Sequence, residues 1–305
     1  MPDSNTFTPV ADRLLTAVLR HGTRSVVVVG TAKNVGKTVT LNALRDAAYR
    51  RGVLGGVTSI GRDGEAIDAV SGTPKPAVRL EAGTIVALPR ALVPASPAME
   101  ILELGEDSAL GPTVFARVRV AMTCEIGGPP TARALRATIA RLAALSGGTV
   151  FVDGAIDRMA ALAGGNDAIV LATGAALGDT VEAVAAATGE TVRRLTLRGR
   201  EPARERAAVQ VVAGALGVRQ ARALLAGPRD VTIVVADPTR VALRGPLFDR
   251  LSAHVDLRCE RPLHVIACTT SSFALERSLD PRALVVAVAH ATGLPAYDLV
   301  ARLAA

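Results

Sequence analysis

Two kinds of apolar pattern alternate along the chain. Ser25-Val26-Val27-Val28-Val29 is an unbroken, mostly β-branched run closed by Gly30, the pattern of a parallel strand covered on both faces. On either side, apolar residues recur at helical spacing: Leu14, Leu15, Val18 and Leu19 within Val10 to His21, and Leu41, Leu44 and Ala48 within Val39 to Arg51. Gly22 and Gly52 supply the stops. The region therefore reads helix, strand, loop, helix. Val53 to Ile60 is a second apolar run, which places the polar cluster Gly61-Arg62-Asp63-Gly64-Glu65 at a strand's carboxyl end.

Between Ser71 and about Gly128 the helical pattern is lost. Thr84 to Leu88, Glu100 to Leu104 and Val114 to Met122 read as short strands separated by Pro and Gly, a β-rich excursion from the main sheet. Thr131 to Leu145 returns to helix and leads into the strand Thr149-Val150-Phe151-Val152, which ends at Asp153. Beyond it, Ala168 to Ala172, Val231 to Ala236 and Leu263 to Ala267 read as strands. Asp179 to Ala187, Ala203 to Leu225 (broken near Gly214 to Gly217) and Pro281 to Thr292 read as helices. The alternation predicts an α/β fold on a mostly parallel, doubly wound sheet with helices on both faces and right-handed crossovers. No repeat or low-complexity linker divides the chain. The expectation is one domain over 1–305, with 71–128 as the β-rich insertion and 190–305 continuing the sheet.

Composition narrows the chemistry. Hydrophobic residues make up 50% and charged residues 21%, which fits an ordered globular chain. Aromatic residues are only 2%, so the core is aliphatic and base stacking on aromatic platforms is disfavoured. The net charge of +7 comes from scattered Arg rather than a basic block, which ranks nucleic acid last among partners. Cys124, Cys259 and Cys268 lack paired spacing, so neither a disulfide framework nor a zinc site is indicated. With no signal-type N-terminus and no apolar stretch of about 18 residues, a cytoplasmic protein without a membrane span is expected.

The candidate chemistry lies in Gly30-Thr31-Ala32-Lys33-Asn34-Val35-Gly36-Lys37-Thr38. A triphosphate concentrates negative charge, so its cradle needs inward backbone N–H groups, a helix N-terminus and a mobile ammonium. Lys37 would reach the β- and γ-phosphates and Thr38 would place its hydroxyl on Mg2+. Gly30, Thr31, Asn34, Val35, Gly36 and Val39 complete the expected nucleotide-binding set. The alternative is an ordinary strand-to-helix turn that contains Gly-Lys-Thr. In the usual pattern four residues separate the first glycine from Gly-Lys; here five lie between Gly30 and Gly36, and Thr31 follows the first glycine.

This variant of the loop resembles that of dethiobiotin synthetase and its relatives, including cobyrinic acid a,c-diamide synthase, which implies a P-loop NTPase fold. Ser59-Ile60-Gly61-Arg62-Asp63 is similar to the Lys-x-Gly-Pro-Asp segment after the second strand of the cobyrinate enzymes, whose Asp binds Mg2+. That makes Asp63 a metal candidate, with a plain turn residue as the alternative. Phe151-Val152-Asp153-Gly154-Ala155 is similar to the strand-Glu-Gly-Ala segment of the same group, where the acid takes a Mg2+ coordination role. The resemblance thus implies Thr38, Asp63 and Asp153 as metal ligands, and Lys37, Asp63 and Asp153 as catalytic residues. Arg158 is a candidate for neutralising charge or for a surface ion pair.

The chain also departs from that group. Dethiobiotin synthetase holds its carbamate and phosphoryl groups with a Lys after the second strand, where this chain has Thr58 and Ser59; Lys75-Pro76 falls too far downstream to replace it, and Arg62 is the nearest positive charge. The family's base-recognition segment is not identifiable, so ATP is preferred over GTP without being fixed. One reading is NTP-driven phosphoryl transfer to a small anionic substrate held by Arg79, Arg90, Arg117 and Arg119. The other is a nucleotide-driven accessory protein acting on a partner enzyme, with a homodimer also possible in either case. Thr58 to Glu65 and Val152 to Arg158 also resemble a P-loop protein associated with reactivation of the cobalamin-dependent lysine 5,6-aminomutase. Ala172 to Asp179 and Asp237-Pro238-Thr239 are open between site loops and routine turns.

Overall fold

The valine run lies at the centre of the molecule. In the computed structural model, which describes residues 8–60, 78–108, 110–202, 208–274 and 277–305, helix α1 (Thr8–Arg20) precedes strand β1 (Ser25–Gly30). Helix α2 (Lys37–Arg50) then returns the chain to β2 (Leu54–Ser59). From residue 78 come β3 (Val78–Leu80), β4 (Ile85–Pro89), β5 (Met99–Ser108), β6 (Gly111–Val118) and β7 (Met122–Cys124). Helix α3 (Ala132–Ser146), β8 (Thr149–Asp153), β9 (Ala168–Gly174) and α4 (Val181–Leu195) follow. The rest comprises β10 (Ala208–Val211), α5 (Val218–Leu225), β11 (Val231–Val235), α6 (Gly245–His254), β12 (Asp256–Cys259), β13 (His264–Ser271), β14 (Phe273–Ala274), β15 (Arg277–Ser278), α7 (Pro281–Thr292), β16 (Ala296–Asp298) and β17 (Leu303–Ala304).

The main sheet has ten strands in the order β17-β16-β13-β9-β1-β8-β2-β4-β6-β5. Neighbours from β16 through to β4 are parallel, and antiparallel strands close both edges. Successive side chains of β1 point to opposite faces. Val26 and Val28 therefore join Leu14, Leu15, Leu41 and Leu44 of α1 and α2, while Val27 and Val29 join Leu135, Leu142, Val184 and Leu284 of α3, α4 and α7. The α/β architecture with a mostly parallel sheet flanked by helices is as the apolar pattern predicts.

Four expectations need correction. The β-rich segment is not an excursion: β4 pairs in parallel with β2 and is buried throughout, and the hairpin β5–β6 extends the main sheet as its antiparallel edge. Among the described residues of this segment, only β3 and β7 pair apart from it. The region from 190 does not simply continue the sheet either. β10, β11 and β12 form a separate parallel sheet with a core of its own around Leu216, Ile233, Phe248 and Leu251, and the chain rejoins the main sheet only at β13.

The helix expected over Ala203 to Leu225 begins at Val218; residues 203–207 lie outside the described residues, and 208–211 are strand. There the β-branched Val209 and Val211 pair with β11, and tertiary pairing overrides an Ala- and Arg-rich composition that favours helix. Last, the helix expected from Asp179 begins at Val181, with Thr180 as its N-cap accepting from the Ala183 N–H at 3.1 Å. Asp179 instead pairs with Arg277.

Candidate functional site

The loop from Gly30 to Thr38 sits where the carboxyl ends of β1, β8 and β9 meet, the crevice in which open α/β sheets hold ligands. Register fixes the arrangement: Val28 lies opposite Asp153, Ser59 opposite Asp153, and Gly30 opposite Ala172. The Thr31 N–H donates to the Ala172 carbonyl at 2.8 Å, and the Thr31 hydroxyl lies 3.3 Å from that of Thr173. The segment beginning at Ala172 therefore does line the loop, one of the two readings its sequence left open.

Two left-handed residues turn the loop into the helix. Asn34 has φ 59° and Gly36, the N-cap of α2, has φ 83°. As a glycine, this N-cap supplies no side-chain cap. The helix's first N–H groups and the positive end of its dipole are thus directed at whatever occupies the loop. Val35 is buried and pins the loop from beneath. Thr40 on α2 hydrogen-bonds Thr269 of β13 at 2.8 Å inside the protein, which fixes the helix against a strand far away in sequence.

Lys37 turns back across the β1–β8 boundary. Its Nζ lies 3.1 Å from Asp153 Oδ1 and donates to the Gly154 carbonyl at 3.0 Å. Thr38 and Val39 follow on the first turn, Thr38 half-buried and Val39 exposed. Asp153 and Thr38 offer the hard oxygen ligands that Mg2+ prefers, and Mg2+ characteristically uses one or two carboxylates with phosphate and water completing its shell. The donor set therefore fits that ion. Asp63, Arg62 and Lys75 lie outside the described residues. Among the described residues, no cluster of three or more His, Cys, Asp or Glu offers an alternative metal centre.

Ser59, at the position where the resemblance to dethiobiotin synthetase would lead one to expect a lysine, is a buried structural residue. Its Oγ donates to the Asp153 carbonyl at 3.1 Å, and the Ile60 N–H donates to the same oxygen at 2.9 Å. Arg158 donates to the Ile60 carbonyl at 3.0 Å, tying the segment after Asp153 to the end of β2. The four arginines expected to receive an anion do not converge. Arg117 and Arg119 pair with Glu100 at 3.8 and 2.6 Å on the hairpin edge. Arg90 faces Gly111, at the other end of β6 from Arg117 and so about 20 Å away at strand rise. Arg79 belongs to the separate β3–β7 pair.

Asp237 resolves as a turn residue of the small sheet. It is fully buried, caps Thr239 at 3.0 Å and pairs with Arg261 at 3.0 Å. The residues missed from sequence are the hydroxyls at the end of β13, of which Thr269 contacts α2 and Ser271 faces Gly36, where a Cβ would lie 3.3 Å from the Ser271 Cβ. The run Thr269-Thr270-Ser271-Ser272 at a strand's carboxyl end was the available signal. Asp298, next to it on β16, has its carboxyl pushed up by burial, against the stabilising hydrogen bonds from Ala301, Val300 and Thr270.

All three cysteines are free and buried. Burial pushes the Cys124 thiol up to about 11, and Cys259 and Cys268 up to about 12. The thiolate is the reactive form. Native protein is therefore expected to react with a thiol-specific disulfide reagent at pH 8 at well under a hundredth of the rate seen in denaturant, where all three should titrate; rapid native labelling of any one would contradict the burial.

No family model, curated protein or solved structure matches the chain. No helix among the described residues is long and apolar enough to cross a membrane.

Proposed function

We propose that the chain is a Mg2+-dependent P-loop NTPase that binds a nucleoside triphosphate, ATP in preference to GTP, through Gly30, Thr31, Asn34, Val35, Gly36, Lys37, Thr38 and Val39. One observation carries the reading: the loop lysine is held 3.1 Å from an acid at the end of the adjacent parallel strand, beside an uncapped helix N-terminus. An ordinary turn needs neither feature. Lys37 would pair with phosphate oxygens in place of Asp153 when a nucleotide binds, and Asp153 would then be available as a Mg2+ ligand. Mg2+, when bound by Thr38 and Asp153, neutralises charge on the phosphates. Asp63, which follows β2 in the sequence and lies outside the described residues, remains a candidate third ligand. The chain's own contribution is positioning: N–H groups aimed inward, an ammonium on a fixed helix turn, and Ser59 and Ile60 holding the Asp153 backbone in place.

A second reading decides what hydrolysis is for. The buried, backbone-bonded Ser59 and the dispersed arginines favour a nucleotide-driven accessory protein, for instance one that acts on a cobalamin-dependent aminomutase, over an enzyme that phosphorylates a small anion. Turnover of ATP by the purified chain, alone and with candidate partner enzymes, separates the two. Basal hydrolysis stimulated by a partner supports the accessory role, whereas product formation from a small carboxylate without a partner sinks it.

Asp153→Asn is the matching test of the metal site. It keeps the shape but loses the charge that anchors the ion, so Mg2+-dependent turnover is expected to fall by about a hundredfold while metal-free nucleotide binding persists. Wild-type turnover in that variant would remove Asp153 from the metal site.

A further inference from the structure

A cavity lies at the far end of α2 from Lys37. It measures about 350 Å3 and is lined by Asp12, Arg13, Thr16, Arg20, Arg51 and Tyr297, with Ala17 in its wall. Because α2 runs from Lys37 to Arg50 at about 1.5 Å per residue, the cavity is roughly 20 Å from the phosphate loop. It therefore forms no part of the nucleotide site.

The charges in this groove are unevenly matched. Among the described residues Asp12 is its one lining carboxylate, and it already faces Arg50 at 3.5 Å and Arg51 at 3.6 Å. Arg51 is further fixed by donating to the Thr16 hydroxyl at 2.9 Å and the Asp12 carbonyl at 3.0 Å. Arg13 and Arg20 remain. They stand seven positions apart on α1, which is two helical turns and hence one face, with the small Ala17 between them. Neither makes a hydrogen bond or ion pair with any described residue. Both guanidinium charges act on the Tyr297 hydroxyl, opposing the upward push of burial on that phenol. Two unmatched guanidinium groups and a phenol thus share one concave space.

We propose that this groove binds a small phosphate-bearing anion, held by Arg13 and Arg20 with the Tyr297 hydroxyl as a further donor. A single carboxylate is satisfied by one bidentate arginine. Two guanidinium forks approaching from separate helical turns match a group with more acceptor oxygens and more charge, such as a pyrophosphate or a phosphate ester. Arg51 and Arg50 hold the wall rigid, so only Arg13 and Arg20 must become ordered on binding.

The test uses the full chain carrying Lys37→Ala, which silences the phosphate loop, so that it does not depend on the nucleotide reading. Inorganic pyrophosphate and ribose 5-phosphate are titrated separately by calorimetry. Saturable one-to-one binding of either anion is expected, weakening about tenfold between low and physiological salt because the site is open to solvent. Tighter binding of pyrophosphate assigns the inorganic anion, and tighter binding of ribose 5-phosphate a phosphate ester. Adding Arg13→Gln and Arg20→Gln is expected to weaken binding at least tenfold, and Tyr297→Phe about threefold. Because Arg13 and Arg20 are exposed, the thermal midpoint without ligand should stay within a few degrees. Failure of both anions to saturate, or binding that is unchanged in the double glutamine variant, overturns the proposal.

Discussion

Replacing Lys37 by Ala is expected to lower NTP turnover by about two to three orders of magnitude, as removal of one preorganised charge-stabilising donor does elsewhere. The geometry explains why no neighbour compensates. The lysine leaves the first residue of α2, so its ammonium moves on a short arc between Asp153, 3.1 Å away, and the mouth of the loop. The Thr40–Thr269 bond and buried Val35 hold that arc in place. Stability should barely change, because a partly solvated ion pair contributes about 0 to 1 kcal/mol. Lys37→Arg is expected to fail nearly as badly, since a planar fork replaces a compact point charge. Phosphate release under single-turnover conditions, together with equilibrium binding of a fluorescent ATP analogue, reads both effects. An alanine variant that binds ATP with unchanged affinity would leave no basis for a phosphate cradle.

How far such a site can be read from sequence depends on whether its parts are contiguous. The candidate loop stood out because Gly36, Lys37 and Thr38 are consecutive between an apolar run and a helical pattern, and Asp153 because an apolar run stops there. The small sheet did not. β12, Asp-Leu-Arg-Cys, is too short and too polar to stand out, and every residue of β10 is exposed, so both look like loop or helix until they pair with β11. Likewise, nothing near the loop announces that Thr269 and Ser271, more than two hundred residues later, complete its wall. The parallel order β13-β9-β1 brings them there. The arginines of the β-rich segment illustrate the converse. They are close in sequence, yet strand pairing leaves only Arg117 and Arg119 together on the hairpin edge, with Arg90 near the opposite end of β6 and Arg79 in the separate β3–β7 pair.

Gly154→Ala should damage fold and site together. An added Cβ would lie 2.8 Å from Val27 Cγ1, 2.9 Å from the Val28 carbonyl oxygen and 2.9 Å from Val29 Cγ2, all on β1. The valine methyls are packed in the core, and the carbonyl already accepts the Gly154 N–H at 2.8 Å. None of the three is a flexible end that can swing aside, so β8 must shift away from β1. Overpacking of this kind costs about 1–3 kcal/mol. The same shift moves Asp153 and the Gly154 carbonyl, the two groups that hold Lys37. Turnover is therefore expected to fall by about a hundredfold even in the folded fraction, since a displacement near 1 Å is enough for that loss. Gly199→Ala provides the control. Its Cβ would meet only Pro262, at 3.8 Å, and it should stay within about 0.5 kcal/mol of wild type with full activity. Urea denaturation and steady-state turnover on both variants separate strain between β1 and β8 from the general effect of adding a methyl group. If Gly154→Ala were as stable and as active as the control, the close approach of β8 to β1 would not be what positions Asp153.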